Sequence, residues 1–219
     1  MTTLNIDHYE KLAQIFSFPK SGYRDKIKEA EIVIKKHCPE SYSTFKQFSD
    51  FVNRCSFDEV TEIFTRTFDV QAITTLDIGY VLFGDDYKRG ELLVNLNREH
   101  REAGNECNGE LADNLSNLLT LLSKMKNHDI INDLVEIIIM PGLNKIIKEF
   151  DSKNIVIKNK AYQKEYKTVL EQSKDYGKIF LVPLEIVNKI IEKDFGNAKP
   201  KKDDDNDFTK SITKEIELD

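Results

Sequence analysis

The sequence predicts an all-α fold, and three observations carry that expectation. Almost every apolar cluster repeats at a spacing of three or four residues, hardly any run alternates with period two, and Pro19, Pro39 and Pro141 fall where the helical runs stop or bend. With 219 residues, 40% of them hydrophobic, the chain is long enough to bury a substantial core. The expected organisation is one helical bundle over residues 1–195 with a charged tail over 196–219.

Each element has its own warrant. Tyr9, Leu12, Ala13 and Phe16 share a face of a first helix that stops at Pro19, because proline disfavours helical geometry in the residue before it. Tyr23, Ile27, Ala30 and Ile34 mark a second helix ending before Pro39, and Phe45, Phe48 and Val52 mark a third. Ser56 to Glu59 fits a capping box, in which the serine and the glutamate three positions on satisfy each other's orphan amide donors. Val60, Ile63, Phe64 and Phe68 then form one stripe.

In the second half, Leu111, Leu115, Leu118, Leu119, Leu122 and Met125 read as one apolar seam over about four turns. The segment from Ile130 to Met140 reads as a buried helix, and Pro141 should start a helix or kink a longer one carrying Leu143, Ile146, Ile147 and Phe150. Tyr162, Tyr166, Val169 and Leu170 suggest a further helix, and Leu184, Val187, Ile190 and Ile191 the last, with Pro183 at its opening. The short β-like runs at 155–158 and 178–182 fit extensions of helices or loops better than two isolated strands. From Gly196 onward apolar residues are few and charge comes in blocks, so the tail is expected to be disordered.

Composition excludes several functions. A net charge of −6 and a pI near 5.4, with both signs interspersed, argue against a general nucleic-acid or membrane-surface binder and favour a basic or apolar partner. Cys38, Cys55 and Cys107 are odd in number and far apart, which suits a reducing, cytoplasmic setting. The N-terminal residues lack the pattern of a secretory signal, and no apolar run approaches the roughly 20 residues needed to span a bilayer.

The stretch from Phe83 to Leu93, with two glycines, two adjacent aspartates and a Lys-Arg pair, is the most suggestive of chemistry. It follows neither phosphate-loop pattern, since Glu91-Leu92 stands where a Lys-Ser/Thr pair belongs. It also lacks the alternating ligands of a calcium loop. His8, His37, His100 and His128 are scattered without metal-ligand spacing; His100 reads as a surface residue and Cys107 as half-buried. No nucleophile elbow is present. The chain therefore reads as a non-enzyme with no cofactor of its own. Apolar residues are numerous for so helical a chain, including thirteen phenylalanines and eight tyrosines; most belong to the core, and a few at its edge could line a groove for a partner helix.

From Phe57 to Leu119 the sequence resembles the NarJ branch of the TorD/DmsD/NarJ molybdoenzyme chaperones, also called nitrate reductase delta subunits. The resemblance rests on the helix ending in Phe68-Asp69, the corner from Leu82 to Gly90, Arg101 to Gly104, and Glu110 to Leu115 followed by a leucine seam. It extends thinly over residues 7–195 through Ile15 to Pro19 and Pro141. The family's Glu-Leu-Pro-Asp-His-Leu is here Glu-Leu-Ala112-Asp-Asn114-Leu, and Asp203 to Phe208 only faintly echoes its acidic-aromatic C-terminus.

The resemblance implies a system-specific assembly chaperone. Its partner would be the N-terminal peptide of a molybdopterin-containing, NarG-like catalytic subunit, held during cofactor insertion and before docking or export, with the chaperone a monomer or weak homodimer. The alternative is a permanent small helical subunit or scaffold of a redox complex. The candidate peptide-binding residues are Tyr80, Phe83, Asp85, Asp86, Arg89, Glu110, Leu111 and Asp113. In this setting the stretch at 83–93 reads as a corner: Gly84 ends one helix, Asp85 or Asp86 caps the next, and Arg89 pairs with a carboxylate across the bend.

Overall fold

A computed structural model describes residues 6–156, 158 and 178–196. The predicted helix at Tyr162 to Leu170 and the tail beyond Gly196 lie outside the described residues. Within them the fold is all-α and no strand forms; one isolated antiparallel bridge joins Asp77 to Asn114.

Helix α1 (His8–Ala13) tightens into a 3₁₀ turn, Gln14–Phe16, and Ser17 is already extended ahead of Pro19. Gly22 leads into α2 (Tyr23–His37), and α3 spans Tyr42–Arg54. The apolar stripes predicted for all three are buried. Helix α4 (Phe57–Phe68) opens on the expected capping box: Ser56 Oγ accepts from the Glu59 amide at 3.2 Å, and Glu59 Oε2 accepts from the Ser56 amide at 2.6 Å. Two short connections later come α5 (Ile78–Phe83) and α6 (Tyr87–Glu102), and then α7 (Leu115–Lys124). The pairs α1 with α7 and α2 with α3 form the largest interfaces, and one apolar core runs through the bundle.

The Leu111 expectation is corrected. Helix α7 begins at Leu115, because the Asn114 side chain accepts from the Ser116 amide and caps the helix there. Leu111 is left in the preceding loop, 48% exposed. Pro141 lies within a longer helix that widens just upstream, rather than starting one. Helix α8 (His128–Asp133) passes through a π-helical stretch, Leu134–Ile139, into α9 (Met140–Glu149), with the Met140 amide bonded to Val135 O. Proline has no amide for the bond four residues back and its ring crowds that carbonyl, so the helix widens just upstream. The run at 178–182 ends in the last described helix, α10 (Leu181–Phe195), and residues 152–156 are helical too.

A polar cluster joins α1, α2 and α10. Asp194 Oδ2 accepts from Tyr9 Oη at 2.9 Å and lies 3.0 Å from His8 Nε2. The His8 ring stacks on His37 with centroids 4.0 Å apart, and Lys193 Nζ donates to His37 O. Burial, then the His8 ring and the Lys36 charge, hold the His37 imidazole below its ordinary value. Burial alone would push the Asp194 carboxyl up, but the bonds from His8 and Tyr9 outweigh it and hold it low.

Both groups are depressed in the fold, so their stabilisation is present above the unfolded values and lost as pH falls: His37 first, below 6.5, and Asp194 below 3.8. The urea midpoint should fall between pH 7.5 and 5, and His37→Gln should flatten part of that slope. An unchanged slope in the variant would show that His37 does not titrate with folding. His100, also depressed by burial, supplies another part of the slope.

Candidate functional site

The corner between α5 and α6 is built as its sequence suggests. Gly84 has φ of 65°, a conformation that residues with a Cβ avoid, and its amide closes α5 on Tyr80 O at 2.7 Å. Asp86, rather than Asp85, caps α6 by accepting from the Lys88 amide at 2.9 Å. Arg89, on the first turn of α6, reaches back over the corner. Its Nε donates to Asp113 Oδ2 at 2.9 Å and its Nη2 to Asp77 Oδ2 at 3.0 Å, while the guanidinium lies 5.2 Å from the centre of the Tyr80 ring.

Asp113 has no exposed side-chain surface, so its carboxylate acts inside the corner. The approach is so close that a Cβ on Gly79 would stand 2.6 Å from Asp113 Oδ2. Burial, then the neighbouring Asp113 charge, push the Asp77 carboxyl up against the opposing pull of Arg89.

The loop that presents Asp113 is clamped from behind. His100 Nε2 donates to Ala112 O at 3.0 Å, and its Nδ1 accepts from Asn105 Nδ2 at 2.9 Å. Asn117 Nδ2 donates to Leu111 O and Cys107 O. Both ring nitrogens are occupied in the neutral form, and burial holds the imidazole below its ordinary value. The surface reading of His100 is therefore corrected: it is 2% exposed and organises the loop. Main-chain bonds from the Ile78 amide to Asp113 O and from the Leu115 amide to Leu76 O lock this loop to residues 76–78.

Beside that lock opens a cleft of about 190 Å³. Phe16, Phe18, Leu76 and, from α4, Phe64 and Phe68 line it. The charged residues at the cleft are Asp69, Asp77 and Glu110, all acidic. Its aromatic wall continues inward: Phe18 meets Phe64 edge-on at 5.7 Å, and Phe64 and Phe68 both meet the buried Phe180 at 5.4 and 5.2 Å.

Of the eight residues proposed from sequence, Glu110 lines this cleft. Arg89 and Asp113 do not line it and are linked to it through Asp77, and Tyr80 packs on Arg89. Phe83 is half-buried against the core, while Asp85 and Leu111 are exposed outside the cleft lining, as is the capping Asp86. None of the residues from Phe83 to Gly90 lines this cleft, which meets the corner through Asp77, the acceptor of Arg89. Phe16, Phe18, Phe64, Phe68, Asp69 and Asp77 were not singled out from sequence as site residues. The signals available were the aromatic pairs and the Phe68-Asp69 step.

Among the described residues no group of three His, Cys, Asp or Glu side chains is arranged to hold a metal ion, and no helix is long and apolar enough to cross a membrane. No protein-family model matches the chain, and no curated protein matches it.

Proposed function

We propose that the chain is a molybdoenzyme assembly chaperone that holds the N-terminal segment of a NarG-like catalytic subunit, of nitrate reductase or nitrite oxidoreductase type, while its cofactor is inserted. The observation that supports this reading best is the cleft bordered by the exposed Phe18, whose charged residues are all carboxylates. Such a surface suits the apolar face and the Lys or Arg residues of an amphipathic peptide. At about 190 Å³ the cleft is smaller than the roughly 300 Å³ at which small-molecule sites begin, so it suits side chains of a bound segment rather than an enclosed cofactor.

The test is calorimetry with a synthetic peptide copying the first ~15 residues of the cognate catalytic subunit, with binding expected at micromolar Kd or tighter. Glu110→Lys should weaken binding most at low salt, where surface charges are least screened. Asp85→Lys, outside the cleft lining, should leave it unchanged. Absence of heat and of competition at high peptide concentration would remove the proposal. A loss confined to Asp85→Lys would move the site back to the Gly84 corner.

A further inference from the structure

A second cleft, of about 290 Å³, opens at the other end of α4. Its apolar floor is Val52, Phe57 and Val60, and its charged residues are Lys20, Arg24 and Lys28, opposed only by Asp25. The cleft also sits at the N-terminus of the 15-residue α2, the positive end of that helix dipole. Phe57, Val60, Phe64 and Phe68 are spaced by three and four residues, so a single stripe of α4 borders both clefts; Val60, Phe64 and Phe68 are themselves buried, and the apolar side chains open to a partner are Phe57 in the basic cleft and Phe18 in the acidic one. The chain between α1 and α2 serves both as well, with Phe18 lining the acidic cleft and Lys20 the basic one.

We infer that the two clefts form one recognition surface for an amphipathic segment whose charges are segregated, cationic at the end nearest Phe68 and acidic at the end nearest Phe57. Charge complementarity identifies the occupant: Asp69 and Glu110 face its cationic end, Asp77 being held by Arg89, and Lys20, Arg24 and Lys28 face its acidic end. Phe57 is half exposed, at 50%, and available to its apolar face. The separation from Phe57 to Phe68 is about 16 Å along the helix, the length of about three turns of a partner helix. The contact between Lys28 and Asp25, 3.0 Å and well exposed, is of the weak kind that a partner carboxylate readily displaces. This inference rests on the peptide-binding reading of the acidic cleft and adds the polarity of what it binds.

The experiment uses the full chain and two synthetic helical 14-residue peptides with the same apolar stripe. One carries two lysines at one end and two glutamates at the other; the second carries lysines at both ends. The wild-type protein should bind the segregated peptide at least about tenfold more tightly, since like charges across an interface are strongly unfavourable. In the double variant Lys20→Glu, Lys28→Glu the preference should reverse. Both substitutions fall on exposed side chains, and an unchanged melting curve checks the fold. Binding of both peptides with no reversal would overturn this inference and leave the peptide-binding reading standing. Binding of neither to the wild type would overturn both.

Discussion

Replacing Arg89 with alanine should destabilise the protein by about 3–5 kcal/mol, because it leaves buried charge without its partner. The guanidinium bridges Asp77 and the fully buried Asp113, at 3.0 and 2.9 Å, and the Asp113 charge disfavours that of Asp77. For a chain of this length that loss corresponds to a drop in Tm of roughly 6–20 °C.

The pH dependence separates this cause from lost packing. In the variant an unpaired, buried carboxyl is pushed above its unfolded value, so it favours the fold at low pH and the benefit disappears as pH rises through the raised value. The difference between variant and wild type should therefore shrink as pH is lowered from 7.5 towards 5. Urea denaturation at several pH values measures it. A loss under about 1 kcal/mol, in the range of exposed ion pairs, would demote the cluster to a surface feature. Arg89→Lys should fall between the two, since an ammonium keeps the charge but cannot span both carboxylates with a planar fork.

The corner itself was legible because its signals are local. Gly84 after an apolar turn, Asp86 two residues before Lys88, and Ser56 three before Glu59 are all readable within a few positions, and the backbone bonds they predict are present. Apolar stripes were legible for the same reason. Leu111 misled because its spacing from Leu115 and Leu118 fits a helix face, whereas the structure starts that helix only after the Asn114 cap.

Non-local facts were not legible. That Arg89 meets some carboxylate follows from the corner; that it meets Asp77 and Asp113, twelve and twenty-four residues away, follows from the bridge between residues 76–78 and 113–115. The acidic cleft likewise draws on residues from Phe16 to Asn114, on four separate stretches whose approach only the packing of the bundle decides. His8, His37 and Asp194 were scattered singletons for the same reason.

Phe180→Ala should be the most damaging change to the cleft at a residue that does not itself line it. Phe180 is 1% exposed, stands just before α10, and packs edge-on against Phe48 of α3 at 5.4 Å as well as against Phe64 and Phe68 of α4. Removing a buried ring costs about 3–5 kcal/mol, the spread depending on how far the neighbours collapse into the void. Here the neighbours with most freedom are Phe64 and Phe68, which are 6% and 7% exposed and already border open space at the cleft. Their inward movement would carry the aromatic floor away from a bound peptide. The expected result is a lower urea midpoint together with weaker peptide binding at a temperature where the variant remains folded. Phe180→Leu, which fills most of the void, should recover most of both. A destabilised variant whose peptide affinity equals that of the wild type would show that the aromatic array supports the core alone and that the cleft floor is held by α4 without it.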